Sequence, residues 1–153
     1  MFRSLASLAA RILGLFSTPP HQQVAALCWR RKAGELQFLL VTTRKTRRWT
    51  PPRGWPMVDK TASEAAAQEA WEEAGVIGVA AETPLGVYRY DKLMSKGGVG
   101  APVEVRLFPL EVRERRKCFP EAGQRNQKWM DRAQAADAVR EPDLKRLIER
   151  FTP

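Results

Sequence analysis

Three glutamates, Glu69, Glu72 and Glu73, stand within five residues of an alanine-rich stretch, in a chain whose formal net charge is +9. If this stretch is an α-helix, at about 100° per residue the three carboxylates share one face. Carboxylates four residues apart repel each other and destabilise a helix unless a cation lies between them. Such hard oxygen ligands suit Mg²⁺ or Mn²⁺, which bind a few carboxylates together with phosphate oxygens of a substrate. The spacing therefore favours a metal and phosphate site, with a solvated acidic helix face as the alternative.

The residues around the glutamates mark the ends of this helix. Thr61 and Glu64 have the spacing of a capping box, in which each side chain bonds to the main chain of the other. Residues 62–74 are strong helix formers, and Gly75 stands where a left-handed C-terminal cap is expected. The sequence predicts a helix over residues 62–74.

A longer pattern runs through this region and is made of these residues: Gly54, Glu69, Glu72, Glu73, Gly75 and Val76. Their order and spacing resemble the Nudix box, GX5EX7REUXEEXGU, in which U is an aliphatic residue. Two positions differ from the box, because Lys60 replaces its first Glu and Gln68 replaces its Arg. In the family these two side chains support the metal-binding glutamates. Gln68 can still hydrogen-bond to a glutamate four residues away, more weakly than an arginine fork would.

The resemblance implies a role for each matching residue. Glu69 and Glu73 would be metal ligands, Glu72 the general base or a further ligand, and the main-chain carbonyl of Gly54 another ligand, with Mg²⁺ or Mn²⁺ as the cofactor. The implied reaction is hydrolysis of a nucleoside diphosphate linked to another moiety, or of a related diphosphate. The metal would neutralise phosphate charge and activate the attacking water. The base varies within the family, so two further acidic residues stay as candidates: Glu104 and Glu121.

A basic segment immediately before the helix is the second element that could do chemistry. Five cations fall within ten residues: Arg44, Lys45, Arg47, Arg48 and Arg53. Arginine binds phosphate oxygens with two parallel hydrogen bonds, so this segment is a candidate anion clamp. A second basic wall is predicted around Arg89 and Lys92, with Lys96 in the following loop.

The basic segment also resembles that of one Nudix subgroup, the diphosphoinositol polyphosphate phosphohydrolases, where a Ser/Thr-rich, Arg-containing segment precedes Trp-x-x-Pro. Thr42, Thr43 and Arg44 match its phosphate-binding part, whereas its three glycines are replaced here by Arg-Gly-Trp-Pro at 53–56. The resemblance implies diphosphoinositol polyphosphates or diadenosine polyphosphates as substrates. The predicted substrate-binding residues are Thr42, Arg44, Arg47, Arg48, Arg53, Arg89 and Lys92.

The elements that must position these residues follow from the hydrophobic patterns. QVAALCWRR and LQFLLVTT predict a β-hairpin, and RKTRRWTPPRG predicts a loop or irregular edge segment. After the helix, three strands are predicted in VIGVAAE, LGVYRYDK and APVEVRLFPLEV, with RNQKWMD as a further strand and RAQAADAV and DLKRLIERF as closing helices. We therefore predict an α+β fold, a Nudix-type α/β/α sandwich with a mixed central sheet and one catalytic helix.

The 153 residues suit one domain, which we place at residues 21–153, after an amphipathic N-terminal extension over residues 1–20. The extension has apolar residues at helical spacing, interrupted by Arg3 and Arg11, and is too short to cross a bilayer. We expect it to pack on the domain, on a second copy in a homodimer, or on a membrane surface, with a targeting peptide as the alternative. The two cysteines have no CxxC spacing, which indicates a reducing compartment, so we predict a cytoplasmic protein.

Three function classes fit the sequence. The first is a metal-dependent pyrophosphohydrolase whose partner is a polyphosphorylated small molecule, which the basic charge near the helix would attract. The second is an RNA 5′-end pyrophosphohydrolase, for which Tyr88, Tyr90 and Trp129 are candidate stacking platforms. The third is a binding module that has lost activity, as Lys60 and Gln68 would indicate. The three crowded carboxylates favour an active enzyme over the third class.

Overall fold

The computed structural model describes residues 20–92 and 100–153. The predicted N-terminal extension, apart from its last residue, and Lys96 lie outside the described residues. Strands β1 (His21–Lys32) and β2 (Glu35–Thr42) form the predicted antiparallel hairpin, with Lys32 paired to Glu35 across its turn. The segment predicted to be irregular contains two strands of two residues each, β3 (Trp49–Thr50) and β4 (Arg53–Gly54).

The strands that follow the helix complete a mixed sheet. They are β5 (Val76–Ala80), β6 (Gly86–Lys92), β7 (Ala101–Arg115) and β8 (Gln127–Asp131). Within the described residues the main order is β3-β2-β1-β7-β5, while β4 pairs with β1, β6 with β7 and β8 with β2. β1 and β7 run parallel and the other pairs are antiparallel, so the predicted mixed sheet is confirmed.

Helices cover both faces of the sheet, which confirms the predicted α/β/α sandwich. Side chains alternate along a strand, so β1 directs Val24 and Ala26 to the face covered by α1 (Ala62–Ala74) and Ala25 and Leu27 to the opposite face. The opposite face is covered by α2 (Arg132–Ala138) and α3 (Pro142–Arg150). None of the described helices is long and apolar enough to cross a membrane.

The helix that covers one face contributes smaller side chains to the core than α3, which helps to cover the other. The face under α2 and α3 holds large residues: Phe38, Tyr88, Leu107, Leu144, Ile148 and Phe151. The inner side of α1 consists of small residues: Ala65, Ala66, Ala70 and Ala74. Alanines let α1 lie close to the sheet, since close packing leaves no gap between them and the strand residues. The short strand β4, paired with β1 at Val24 and Ala25, is thereby held beside α1.

The ends of α1 agree with the sequence prediction of residues 62–74. The hydroxyl of Thr61 accepts the Glu64 N–H at 3.2 Å, and the Thr61 N–H donates to Glu64 Oε2 at 3.0 Å, which completes the capping box. Gly75 has φ 67° and its N–H reaches the carbonyls of Ala70 and Trp71. A left-handed conformation at this position favours glycine and ends the helix.

Candidate active site

Glu73 lies at the centre of the candidate site and is buried, with 4% of its surface exposed. Its Oε2 accepts the main-chain N–H of Arg53 at 3.2 Å, and its Oε1 lies 3.2 Å from Nη2 of Arg125. Burial raises the pKa of Glu73 to about 8, although Arg125 opposes this rise. A carboxylate that is desolvated to this degree is typical of a functional site.

Glu69, another of the predicted metal ligands, lies against Gly54. A Cβ atom placed on residue 54 would overlap the Glu69 carboxylate, so only glycine leaves room for the carboxylate here. Burial, followed by repulsion from Glu72 and Glu121, raises the pKa of Glu69 to about 7. Among the described residues, Arg125 therefore offsets only part of the negative charge that surrounds Glu69.

Glu72 is held by Gln68, the residue that replaces the arginine of the Nudix box. Gln68 Nε2 donates to Glu72 Oε1 at 3.1 Å, along the i to i+4 direction of the helix. The carbonyl of Glu72 accepts the N–H of Glu121 at 2.9 Å, which fastens α1 to the β7–β8 loop, residues 116–126. Lys60 is exposed and lies just before the N-cap of α1.

Glu69, Glu72, Glu73 and Glu121 form an acidic cluster. The sequence reasoning missed Arg125, which the β7–β8 loop places against this cluster. Nη2 of Arg125 lies 3.2 Å from Glu73 Oε1 and 3.2 Å from Glu121 Oε1, and Nη1 donates to the carbonyl of Thr42 at 3.2 Å. The side chain is 10% exposed, and its Nε has no hydrogen-bond partner among the described residues. Its position depends on how a distant loop folds, so no spacing in the sequence pointed to it.

The donors at this site fit Mg²⁺ or Mn²⁺, although they do not form a preassembled cage. In residues 20–92 and 100–153, no three His, Cys, Asp or Glu side chains converge on one metal position. Mg²⁺ keeps several waters and needs only one or two carboxylates. Oε2 of Glu73 accepts one hydrogen bond and Oε1 forms an ion pair with Arg125, which leaves a lone pair on each oxygen for a cation. Glu69, Glu73 and the Gly54 carbonyl, with Glu72, remain the predicted ligands.

Two arginines of the basic segment donate hydrogen bonds to the β7–β8 loop next to the acidic cluster. Arg44 Nη1 donates to Gln124 Oε1 at 3.3 Å and lies 3.8 Å from Glu121 Oε1, and its side chain is 62% exposed. Nη1 of Arg47 donates to the Gln124 carbonyl at 3.3 Å. Two guanidinium groups that can bind an anion therefore lie at the edge of the carboxylate cluster.

Threonines and Arg48 shape the turn that presents this segment. Thr42 is 2% exposed and its hydroxyl accepts the N–H of Asn126 at 2.9 Å, so it lies beneath the loop. Thr43 Oγ1 lies 2.8 Å from Thr46 Oγ1 and accepts the N–H of Arg48 at 3.0 Å. Nε of Arg48 donates to Thr46 Oγ1 at 3.3 Å.

Arg53 and Lys92 lie against aromatic rings on the face of the sheet covered by α2 and α3. The Arg53 guanidinium carbon lies 3.8 Å from the ring centre of Tyr90, and Nη1 is buried without a partner among the described residues. Nζ of Lys92 lies 5.2 Å from the Trp55 ring centre, and the rings of Trp55 and His21 meet edge to face at 5.9 Å. Trp55 is 45% exposed, and the sequence reasoning gave it no role.

The structure does not bring Arg89 and Lys92 into one basic wall. They are three positions apart along β6, so their side chains leave opposite faces of the strand. Arg89 forms an ion pair with Glu104 at 2.8 Å. Of the two reserve candidates for the base, Glu104 is thus held in an ion pair with Arg89, whereas Glu121 lies in the acidic cluster.

Comparisons with known proteins agree with the geometry. A family model, described as NUDIX domain, matches residues 19–151. The chain is 31% identical over 121 residues to Nudix hydrolase 13, mitochondrial, of Arabidopsis thaliana, covering 76% of this chain and 60% of that protein. It is 30% identical over 157 residues to Nudix hydrolase 21, chloroplastic, of the same plant, covering 97% of this chain and 75% of that one.

A solved structure shows the same fold at low sequence identity. The crystal structure of the C. elegans Ap4A hydrolase is 20% identical, covers 85% of this chain and 94% of that one, and superposes with a TM-score of 0.60. The chain spans about three fifths of the length of the first curated relatives that it matches.

Proposed function

The chain belongs to the Nudix family, and from this premise we propose that it is a metal-dependent pyrophosphohydrolase that cleaves a diphosphate linkage in a highly phosphorylated small molecule. The observation that carries the proposal is that negatively charged carboxylates and an exposed, positively charged arginine lie next to each other. Glu69 of α1 lies beside Gly54, and the exposed Arg44 lies 3.8 Å from Glu121, which shares Arg125 with Glu73. Phosphates and a divalent cation are the ligands that satisfy both groups together.

The residues of the chain divide the work between cation, water and substrate. Mg²⁺ or Mn²⁺, when bound, would neutralise phosphate charge and lower the pKa of a coordinated water. Glu69, Glu73 and the carbonyl of Gly54 would hold it. Glu72, oriented by the 3.1 Å hydrogen bond from Gln68, would accept the proton of the attacking water.

The basic segment would bind the phosphates of the substrate. Arg44 and Arg47 are both exposed, and both donate hydrogen bonds to the β7–β8 loop beside the carboxylates. A guanidinium that a loop holds in place loses less conformational freedom when it binds an anion. Both arginines would orient the chain of phosphates so that one phosphorus faces the activated water.

An exposed aromatic surface favours a dinucleoside polyphosphate over a diphosphoinositol polyphosphate. Trp55 follows Gly54 directly and is 45% exposed, and Nζ of Lys92 lies 5.2 Å from its ring centre, farther than the 3.8 Å at which arginines cover the rings of Tyr90 and Trp129. An indole offers a stacking surface for a nucleobase, whereas an inositol ring has no π-face to stack. Similarity to a protein described as an Ap4A hydrolase supports the same substrate class.

RNA remains the second candidate substrate, and the aromatic residues expected to stack its bases weigh against it. Tyr88 is fully buried, so it offers no platform. The guanidinium of Arg30 lies 3.8 Å from the Trp129 ring centre, and that of Arg53 lies at the same distance from Tyr90. Stacking of bases on these rings would first require both arginines to move.

The test of the proposal measures kcat/KM for three substrates: a diadenosine polyphosphate, a diphosphoinositol polyphosphate and a 5′-triphosphorylated RNA. Each is assayed with Mg²⁺, with Mn²⁺ and with a chelator, at two salt concentrations. We expect the diadenosine compound to be the best substrate and its hydrolysis to stop with the chelator. A preference for RNA that disappears as salt rises would promote the second candidate.

A variant of Trp55 separates the two small-molecule classes. Trp55→Leu removes the stacking surface, and a lost base stack of about 1–3 kcal/mol should raise KM for the diadenosine substrate roughly tenfold. Val58→Leu, at a fully exposed position, is the control. If Trp55→Leu leaves KM unchanged for the diadenosine substrate, the preference for a nucleobase is wrong.

The predicted homodimer and cytoplasmic location stay predictions.

A further inference from the structure

We infer that Arg125 is a positioning residue that, from the β7–β8 loop, orients Glu73 and Glu121 in place of the arginine that the Nudix box has at position 68. This inference rests on the proposed function. Gln68 donates to Glu72, and the residues one turn before Glu73 are Glu69 and Ala70, so the helix itself offers Glu73 no cationic partner there. Arg125 reaches Glu73 from outside the helix, at 3.2 Å.

The contacts of Arg125 connect three elements through one side chain. Its Nη2 is shared by Glu73 of α1 and Glu121 of the loop, and its Nη1 donates to the carbonyl of Thr42 at the end of β2. A planar guanidinium fixes the directions of these hydrogen bonds, which a lysine with one nitrogen cannot reproduce. One guanidinium therefore bridges α1, the loop and β2.

Burial makes this arrangement specific. The side chains of Arg125 and Glu73 are 10% and 6% exposed, so water does not screen their interaction as it does a surface ion pair. The loop is also fastened to the end of α1 by two main-chain hydrogen bonds, from Glu121 to Glu72 and from Arg116 to Gly75, each at 2.9 Å. Main-chain bonds hold the loop in place, and Arg125 sets the direction in which two of its neighbouring carboxylates point.

The test uses Arg125→Met, Arg125→Lys and, as a matched control, Arg113→Met, whose arginine is 70% exposed in a surface ion pair with Glu111. We expect Arg125→Met to lower kcat about 10- to 100-fold, as the loss of residues that orient metal ligands typically does, with less than a threefold change in KM. Mn²⁺ titrated into the substrate-free protein should still bind, because Arg125→Met leaves Glu69, Glu73 and the Gly54 carbonyl in place. Arg125→Lys should recover only part of kcat.

Rescue by a second substitution provides the sharpest result. Adding Gln68→Arg to Arg125→Met returns a guanidinium to the neighbourhood of the glutamates and should recover about tenfold of the lost kcat. The rescue is measured against Gln68→Arg alone, in which Arg125 is still present. Full activity of Arg125→Met, wild-type activity of Arg125→Lys, or the absence of any rescue would overturn the inference.

A structural role and a failure of the proposed function give different results. If Arg125→Met loses Mn²⁺ binding together with kcat and unfolds earlier in urea with a chelator, Arg125 only supports the fold and the inference is overturned. If the wild-type chain hydrolyses none of the polyphosphate substrates, the proposed function fails first. An active wild type with a fully active Arg125→Met contradicts the inference alone.

Discussion

The two ends of α1 differ in where their stabilising partners come from. At the N-terminal end, Thr61 and Glu64 bond to each other's main chain, and the acidic Glu64 lies near the positive end of the helix dipole. Three glutamates occupy the C-terminal half, towards the negative end, and α1, which is described throughout, has no basic residue in its last turn. One end is arranged for helix stability and the other opposes it.

The C-terminal end receives its positive charge from the strands and loop that follow. Arg115 Nη2 donates to the carbonyl of Ala74 at 3.1 Å, and Arg125 lies against Glu73. These contacts reduce the charge problem without removing it, since the pKa values of Glu69 and Glu73 remain raised. Local residues stabilise the fold at one end, whereas distant residues hold a chemically reactive arrangement at the other.

The largest expected effect comes from removing a charge at the C-terminal end. Glu73→Gln keeps the size of the side chain and should lower kcat roughly 100- to 1,000-fold, the loss that follows removal of one preorganised electrostatic group. Glu64→Gln, the same change at the N-terminal end, is the matched control and should keep kcat within about twofold because glutamine also serves in a capping box. Equal activity of Glu73→Gln and wild type would show that this helix is not the catalytic one.

A smaller effect is expected when Glu69 is displaced by its neighbour. In Gly54→Ala, the added Cβ would overlap the Glu69 carboxylate, which must move. A misplacement of about 1 Å can cost up to about 100-fold in rate, so we expect kcat to fall roughly 10- to 100-fold. Gly34→Ala, in the hairpin turn with φ 81° and open space around it, should lower stability and leave kcat unchanged. Unchanged kcat in Gly54→Ala would contradict the close approach of residues 54 and 69.

The same comparison explains which parts of the site could be predicted from the sequence. The limits of α1 follow from Thr61, Glu64 and Gly75, which act on main-chain groups within one turn, so local spacing was sufficient. The hairpin of β1 and β2 was predictable for the same reason. The parallel pairing of β1 and β7, which places His21 beside Val103, joins strands distant in sequence and had no local signal.

The side-chain contacts of the arginines were also beyond the sequence. Arg53 belongs to the basic segment and was predicted to bind substrate, yet its guanidinium stacks on Tyr90. The reason is that β4 pairs residue 53 with Ala25 and so directs it to the face of the sheet covered by α2 and α3. Arg125 looked like one of many surface cations, since the sequence does not reveal how the β7–β8 loop folds back onto α1. The sequence shows which side chains are charged, but it does not show which group each charged side chain contacts.

Metal-free stability should fall as pH rises, because of the C-terminal end of α1. The folded-state pKa values of Glu69 and Glu73, about 7 and about 8, lie above the ordinary value of 4.5, so between these values the folded chain binds more protons than the unfolded chain. This contribution to stability is fully present below about pH 4.5 and is lost as pH rises through 7 and 8.

The measurement is the urea midpoint in the presence of a chelator at pH 5, 6, 7 and 8. Glu73→Gln lacks one of the two titrating groups, so its midpoint should fall less than that of wild type over this range. Glu64→Gln should follow the wild-type curve. If the gap between wild type and Glu73→Gln does not change with pH, then Glu73 does not have the raised pKa on which this prediction depends.

The smallest effect is expected at the N-terminal end, where the partners are local. Thr61→Ala removes the hydroxyl that accepts the Glu64 N–H at 3.2 Å, and loss of an N-cap typically costs about 1 kcal/mol of unfolding free energy. Because the glutamates of the site lie about two to three turns further along α1 and contact Gly54 and Arg125, kcat should stay within about twofold of wild type. Thr152→Ala, in the exposed C-terminal coil, is the control for replacing a threonine and should change neither quantity. Urea unfolding and kcat are measured on the same samples, and a tenfold loss of kcat at unchanged stability would show that the two ends of the helix do not work separately.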